Sequence, residues 1–213
     1  MNPTRRRYLR GVGGIGGAAC LAGCASDGPG DDGGDGDGES DDSGGDAGGT
    51  RPEGTGGPGV SIVSTDGDVG LPVDLGVEVV REAATADHPP RLRTTLTNAS
   101  DRRVRVGEGR AVHFEYVSDG SGALTFLPVD MEAPAEPDCW RLTDSIAVTE
   151  EYRTFELGAG ESRSRSIDLY ATPTDTDACL PVGEYRFETT VSIVSDDAEP
   201  QSSAEWGFSV VLE

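Results

Sequence analysis

Four cysteines, two histidines and one Asn-x-Ser sequon are the positions in this 213-residue chain whose side chains could carry covalent, redox or metal chemistry. Cys139 and Cys179 stand well apart in the second half, and a zinc site needs more nitrogen or sulfur ligands than two such cysteines supply. His88 precedes Pro89-Pro90 in a loop. His113 falls on the solvent-facing parity of an alternating segment, and neither histidine has a Cys, Ser or carboxylate nearby in sequence to make it a general base. No Gly-x-Ser-x-Gly elbow is present, so a hydrolytic enzyme ranks last among the readings. Asn98-Ala99-Ser100 is a candidate N-glycosylation acceptor. Gly11 to Gly16 matches Gly-x-Gly-x-x-Gly in form, yet it follows no strand and opens no βαβ unit. The acidic run from Asp35 to Asp42 lacks the ligand spacing of a calcium loop. No catalytic residue, metal or cofactor is expected.

The charge points the same way. All 17 basic residues are Arg, against 39 acids, for a formal net charge of −22. Nucleic acid is excluded as a partner, because binding it needs a basic stripe that displaces phosphate counterions. Self-repulsion on this scale normally costs stability, a cost that shrinks when salt shortens the Debye length to roughly 3 Å near 1 M. An acidic surface without lysine resembles the protein style of halophilic archaea.

The N-terminal residues form an address. Thr4-Arg5-Arg6-Arg7-Tyr8-Leu9-Arg10 precedes a Gly-rich, weakly apolar run to Ala22, too short to span a bilayer. A charged head, a mild apolar middle and small residues before a cleavage point make a signal peptide, residues 1–23. Arg5 and Arg6 with Tyr8-Leu9 resemble the twin-arginine export motif. Leu21-Ala22-Gly23-Cys24 resembles the lipobox of bacterial and archaeal lipoproteins, which implies that Cys24 becomes the N-terminus and carries lipid. Residues 24–58 are almost wholly Gly, Asp, Ser, Pro and Thr, without apolar surface to repay ordering, and are predicted to be a disordered acidic tether. This layout is similar to that of haloarchaeal surface lipoproteins. It implies a cell membrane location, lipid-anchored on the extracellular face, with the membrane as one partner and an envelope protein or glycan as another.

Those positions need a scaffold, and residues 59–213 supply period-two alternation with no long stretch of period 3.6. Leu92, Thr94 and Leu96 alternate with Arg91, Arg93 and Thr95, and Val104 and Val106 alternate with Arg103 and Arg105. The turn chemistry of Asn98 to Asp101 predicts a hairpin over residues 90–106, with Asn98 at its accessible tip. Val112, Phe114 and Tyr116 predict a further strand. Later strands carry Phe155 and Leu157, then Ile167 and Leu169. Two stronger ones carry Tyr185, Phe187, Thr189, Val191 and Ile193, and Trp206, Phe208, Val210 and Leu212. Seven to nine such strands predict an all-β, immunoglobulin-like antiparallel β-sandwich.

Gly183-Glu184-Tyr185 resembles the tyrosine corner of immunoglobulin-like domains, although Phe187 stands where an immunoglobulin has its Cys. The sequence Leu157-x-x-Gly160-Glu161, Pro181-x-Gly183-x-Tyr185 and a final aromatic strand is similar to the immunoglobulin-like domain of BsuPI-type proteinase inhibitors over about residues 150–213. That resemblance implies the same fold and, as an alternative function, inhibition of extracellular proteases. Cys20 leaves with the signal and Cys24 takes the lipid, so Cys139 and Cys179 are expected to form one disulfide, with Trp140 against the bridge or the core. Blue-copper lipoproteins share the architecture but need two His, a Cys and usually a Met, whereas no His follows Cys179 and the last Met is Met131. The expected function is a cell-surface lipoprotein displaying a non-catalytic binding or structural module.

Overall fold

The alternation becomes nine strands in the computed structural model, which describes residues 58–173 and 179–213. Arg5, Arg6, Cys24 and the tether as far as residue 57 lie outside the described residues. The strands are β1 (Val60–Thr65), β2 (Val73–Arg81), β3 (Arg91–Asn98), β4 (Val104–Gly107) and β5 (Leu124–Pro128). They continue as β6 (Thr154–Leu157), β7 (Ser162–Ala171), β8 (Gly183–Val194) and β9 (Pro200–Leu212). Two antiparallel sheets result, ordered β1-β9-β8-β4-β6 and β2-β3-β7-β5. Strands β2, β3, β7 and β5 occupy the A-B-E-D places of a constant-type immunoglobulin sheet, and β4, β8 and β9 the C-F-G places. β1 is added outside β9, and β6 outside β4.

The inward parity of each strand supplies the core. Phe187 and Val191 of β8, and Trp206, Phe208, Val210 and Leu212 of β9, are all buried. Aromatic rings fill the centre, with Phe126 4.4 Å from Phe187 and Phe114 edge-on to Phe208 at 4.8 Å, in the tilted geometries that aromatic quadrupoles favour. Tyr185 is the third residue of β8 and its hydroxyl donates to Val182 O at 3.3 Å, closing a local corner.

Two sequence expectations are corrected. Residues 90–106 are not a hairpin, because β3 pairs with β2 and β7 while β4 pairs with β6 and β8 in the other sheet. Asn98 therefore sits at a crossover between sheets and is 0 % exposed, not an accessible tip. Residues 112–116 are not a strand: Ala111–His113 form a 3₁₀ turn, and Phe114 and Tyr116 follow with left-handed φ of 60° and 66°. The alternating Val112 and Phe114 are buried as expected, but by a turn folded into the core, and His113 goes in with them at 1 % exposure.

Alternation also fails usefully in β7. From Ile167 to Ala171 every residue is buried, because the long connection between β5 and β6 folds back over the outer face of this sheet. Leu127, Leu142 and Tyr170 form a second small core there, with Met131, Ala133 and Trp140 packed against it. On the same outer face Arg91 holds the buried Asp168 bidentately at 2.7 and 2.8 Å.

Candidate functional site

Strand pairing leaves one flank of the sandwich open. β5 covers β7 only from Ile167 to Ala171, so residues 162–166 of β7 have no strand on that side, and the facing sheet ends at β6. Arg163 lies opposite Leu96 and Arg165 opposite Thr94, which puts both arginines on the inward parity that Ile167 and Leu169 continue. The Arg163 guanidinium lies over the Phe155 ring, 4.4 Å from its centroid, and His113 stacks with the same ring at 5.8 Å. Desolvation and the like charge of Arg165 lower the Arg163 pKa. Glu115 faces Arg165 at 3.7 Å, and its burial raises its pKa in spite of that cation.

Of these groups Arg165 and Glu115 border a cleft of about 570 Å³, lined also by Arg110, Arg153, Asp130, Tyr116 and Val148. A second cleft of about 340 Å³ shares Tyr116 and Val148 with the first and is lined by Leu127, Leu142 and Ile146. Together they make one groove, with charged side chains of both signs at one end and aliphatic ones at the other. A further cleft of about 660 Å³ beside β4 also contains arginines, but Arg103 and Arg105 there both bind Glu156, at 3.0 and 2.6 Å.

The wall between the two halves of the groove is the exposed segment 143–153, which has no regular secondary structure. It is nevertheless held. Arg110 Nη2 donates to Thr149 O and Glu151 O at 2.9 and 2.8 Å, and Nη1 to Thr149 Oγ1 at 3.2 Å. Thr143 N donates to Pro134 O at one root, and Gly109 N to Arg153 O at the other. Gly109 has no room for a side chain, because a Cβ there would come within 2.7 Å of the Phe155 ring.

Cys139 and Cys179 form the expected disulfide, with Cα atoms 4.8 Å apart. It ties the β5–β6 connection to the residues before β8. Trp140 packs against the core and edge-on to Tyr170, and its indole donates to Thr85 O at 2.7 Å. Asn98 is a strut: its Nδ2 donates to Arg102 O, Leu157 O and Gly158 O, and its Oδ1 accepts from the Ser100 amide and hydroxyl. His88 lies in the turn bridged to Thr85. Among the described residues no three His, Cys, Asp or Glu side chains assemble as a metal-binding group.

The arginine pair was not singled out in the sequence, although a signal existed in the shared parity of Arg163 and Arg165 with the core residues Ile167 and Leu169. Arg110 and Arg153 come to the cleft of Arg165 from separate connections, a convergence with no sequence signature. No protein-family model matches this chain, and no curated protein matches it in sequence.

Proposed function

We propose that this chain is an exported lipoprotein, directed by Arg5 and Arg6, lipidated at Cys24 and held through the acidic tether on the extracellular face of the cell membrane. Its β-sandwich is a non-catalytic binding module whose contact surface is the groove on the open flank. The observation that supports the binding reading is the groove itself: adjoining charged and aliphatic clefts whose shared wall is braced by Arg110 and belongs to a disulfide-tied connection. Bracing of this kind lowers the ordering cost of association.

A photo-crosslinking side chain at position 148, in native envelopes at molar salt, is expected to capture an envelope component. The same probe at the exposed Ser203 on β9 is expected to capture none. Equal capture from both positions, or none from either, counts against the groove. Anchoring is tested separately: Cys24→Ser should release the protein into the medium or leave uncleaved precursor, and unchanged membrane retention refutes lipidation.

Inhibition of extracellular proteases is the second reading, favoured by the exposed, irregular but braced segment 143–153, which could enter a peptidase cleft as a strand. Residual activity of a panel of halophilic endopeptidases, titrated with the full chain, decides it.

A further inference from the structure

We infer that β2 is a dimerisation edge: two copies of this chain pair antiparallel along it, centred on Val77, and join their four-stranded sheets into one of eight. This does not rest on the groove, which lies on the opposite flank of the sandwich.

A free sheet edge is a template for another strand, and folds that stay monomeric blunt theirs. Three of the four edges here are blunted. β1 carries a register shift between Ile62 and Ser64, and its Val60 amide is taken by Glu82 O. β5 is capped by the segment before it, with Phe126 N donating to Val117 O and Tyr116 N to Phe126 O. β6 has only four residues. β2 has nine, with no proline and no register shift before Val80.

The hydrogen bond from Ala99 N to Pro72 O fixes which backbone groups of β2 are free. Alternation from that pair sends Asp74, Gly76 and Glu78 to β3, and turns the N–H and C=O groups of Val73, Leu75, Val77 and Val79 outward. Among the described residues none of these outward groups has a backbone partner. The side chains of Leu75, Val77 and Val79 are only partly buried against the core.

The side chains identify the occupant. In a symmetric pair centred on Val77, Leu75 faces Val79 of the second copy, Val77 faces itself and Glu78 faces Gly76. The three aliphatic pairs each exchange two backbone hydrogen bonds. Each Glu78, already held by Arg93 at 3.0 Å, meets a residue without a side chain. Centring on Gly76 would set Asp74 against Glu78, and centring on Glu78 would set that carboxylate against its own copy, both unfavourable. Centres nearer either end meet the shift at Val80 or the connection that enters at Val73, which is itself 1 % exposed. The remaining register is a closed two-fold. The acidic tether is a poorer occupant, because residues 58–60 run antiparallel to 82–84 and the chain enters from beyond the end of β2. Residues 59–213 carry 12 Arg against 29 acids, a net −17, and two such domains approach freely only where salt cuts the Debye length to roughly 3 Å.

The test is sedimentation equilibrium of the full chain in molar KCl, with Cys20→Ser and Cys24→Ser so that neither lipid nor a free thiol contributes. A dimer is expected. A Cβ at Gly76 meets nothing within 4 Å, so substitutions there leave the monomer intact. Gly76→Glu sets a carboxylate against Glu78 of the second copy twice over and should raise the dissociation constant about tenfold. Gly76→Arg sets a guanidinium there and should not; equal weakening by both overturns the pairing. A short bifunctional thiol reagent should link Gly76→Cys, whose two copies stand about 7–8 Å apart on the diagonal. It should leave Val80→Cys unlinked, at about 20 Å. A monomer up to about 0.1 mM chain overturns the inference, as does equal linking at both positions, the mark of random collision. Capture from position 148 should be the same in Gly76→Glu, so failure of the dimer leaves the groove standing and failure of the groove leaves the dimer.

Discussion

Asn98 carries an amide that the sequence marks for a glycan and the fold spends on backbone. Its carboxamide joins the β3–β4 crossover to the end of β6 by donating to Arg102, Leu157 and Gly158 carbonyls, with the Ser100 amide returning a bond. Replacing it with alanine leaves buried carbonyls unpaired, at a cost of about 2–3 kcal/mol. Urea unfolding of Asn98→Ala should show that loss, and a peptide containing Asn98 from native material should be unmodified. His113 is the second residue with an energetic signature. Burial, then the Arg165 and Arg163 charges, push its pKa down to about 4. An unfolded histidine titrates near 6.5, so the folded state refuses a proton that the unfolded state accepts. The contribution of His113 is complete above about pH 6.5 and is lost as pH falls toward 4, by about 3 kcal/mol in all. Glu115, whose pKa burial raises, works in the opposite direction on acidification. Comparing wild type with His113→Gln by denaturant unfolding across this window isolates the histidine, and the variant should lack the slope.

At the scale of elements, the β5–β6 connection is the piece that turns an ordinary sheet face into a walled groove. Its tie is the Cys139–Cys179 bridge, spanning 40 residues of sequence. Opening that loop costs about 4 kcal/mol in a chain-entropy account. Cys139→Ser with Cys179→Ser should therefore lower stability by roughly that amount. Hydrogen exchange should rise first in residues 133–153 and hardly at all in β8 and β9. The sandwich was legible in the sequence because strands such as β2 and β3 are buried on one face only, where period two is unmistakable. The disulfide was legible from the count of cysteines expected to remain after export. The 3₁₀ turn at Ala111–His113 was not, since Val112, Phe114 and Tyr116 alternate like a strand, and left-handed φ at Phe114 and Tyr116 has no local marker. The supposed hairpin at Asn98 failed for another reason: turn chemistry specifies that the chain bends and not which sheet it enters next. The groove was illegible because it exists only where β7 outruns β5, a matter of pairing length between strands distant in sequence.

For the whole molecule the dominant fact is a net charge of −17 on residues 59–213. At 0.1 M salt the Debye length is about 10 Å and at 1 M about 3 Å, so repulsion among surface carboxylates should loosen or unfold the domain on dilution. Melting temperature measured over a chloride series is expected to rise with concentration for any simple salt. Stabilisation by one cation alone at low concentration would mark a specific site instead. An unchanged melting temperature in dilute buffer would refute adaptation to salt. β1 has a separate consequence for folding kinetics. Gly59 and Glu213 exchange backbone hydrogen bonds at 2.8 and 3.1 Å, and Val60 stands opposite Leu212. This pairing joins the most distant strands in the sequence and must wait for the slowest search, whereas β8 and β9 meet across a short turn. A circular permutant linking residue 213 to residue 59, with new ends at Asp196 and Asp197, would exchange those roles. The first and last strands would become a local hairpin, and the largest ladder in the domain a long-range closure. Such a permutant should reach the same fold by a different order of events, with the step that limits its rate moved to the β8–β9 ladder.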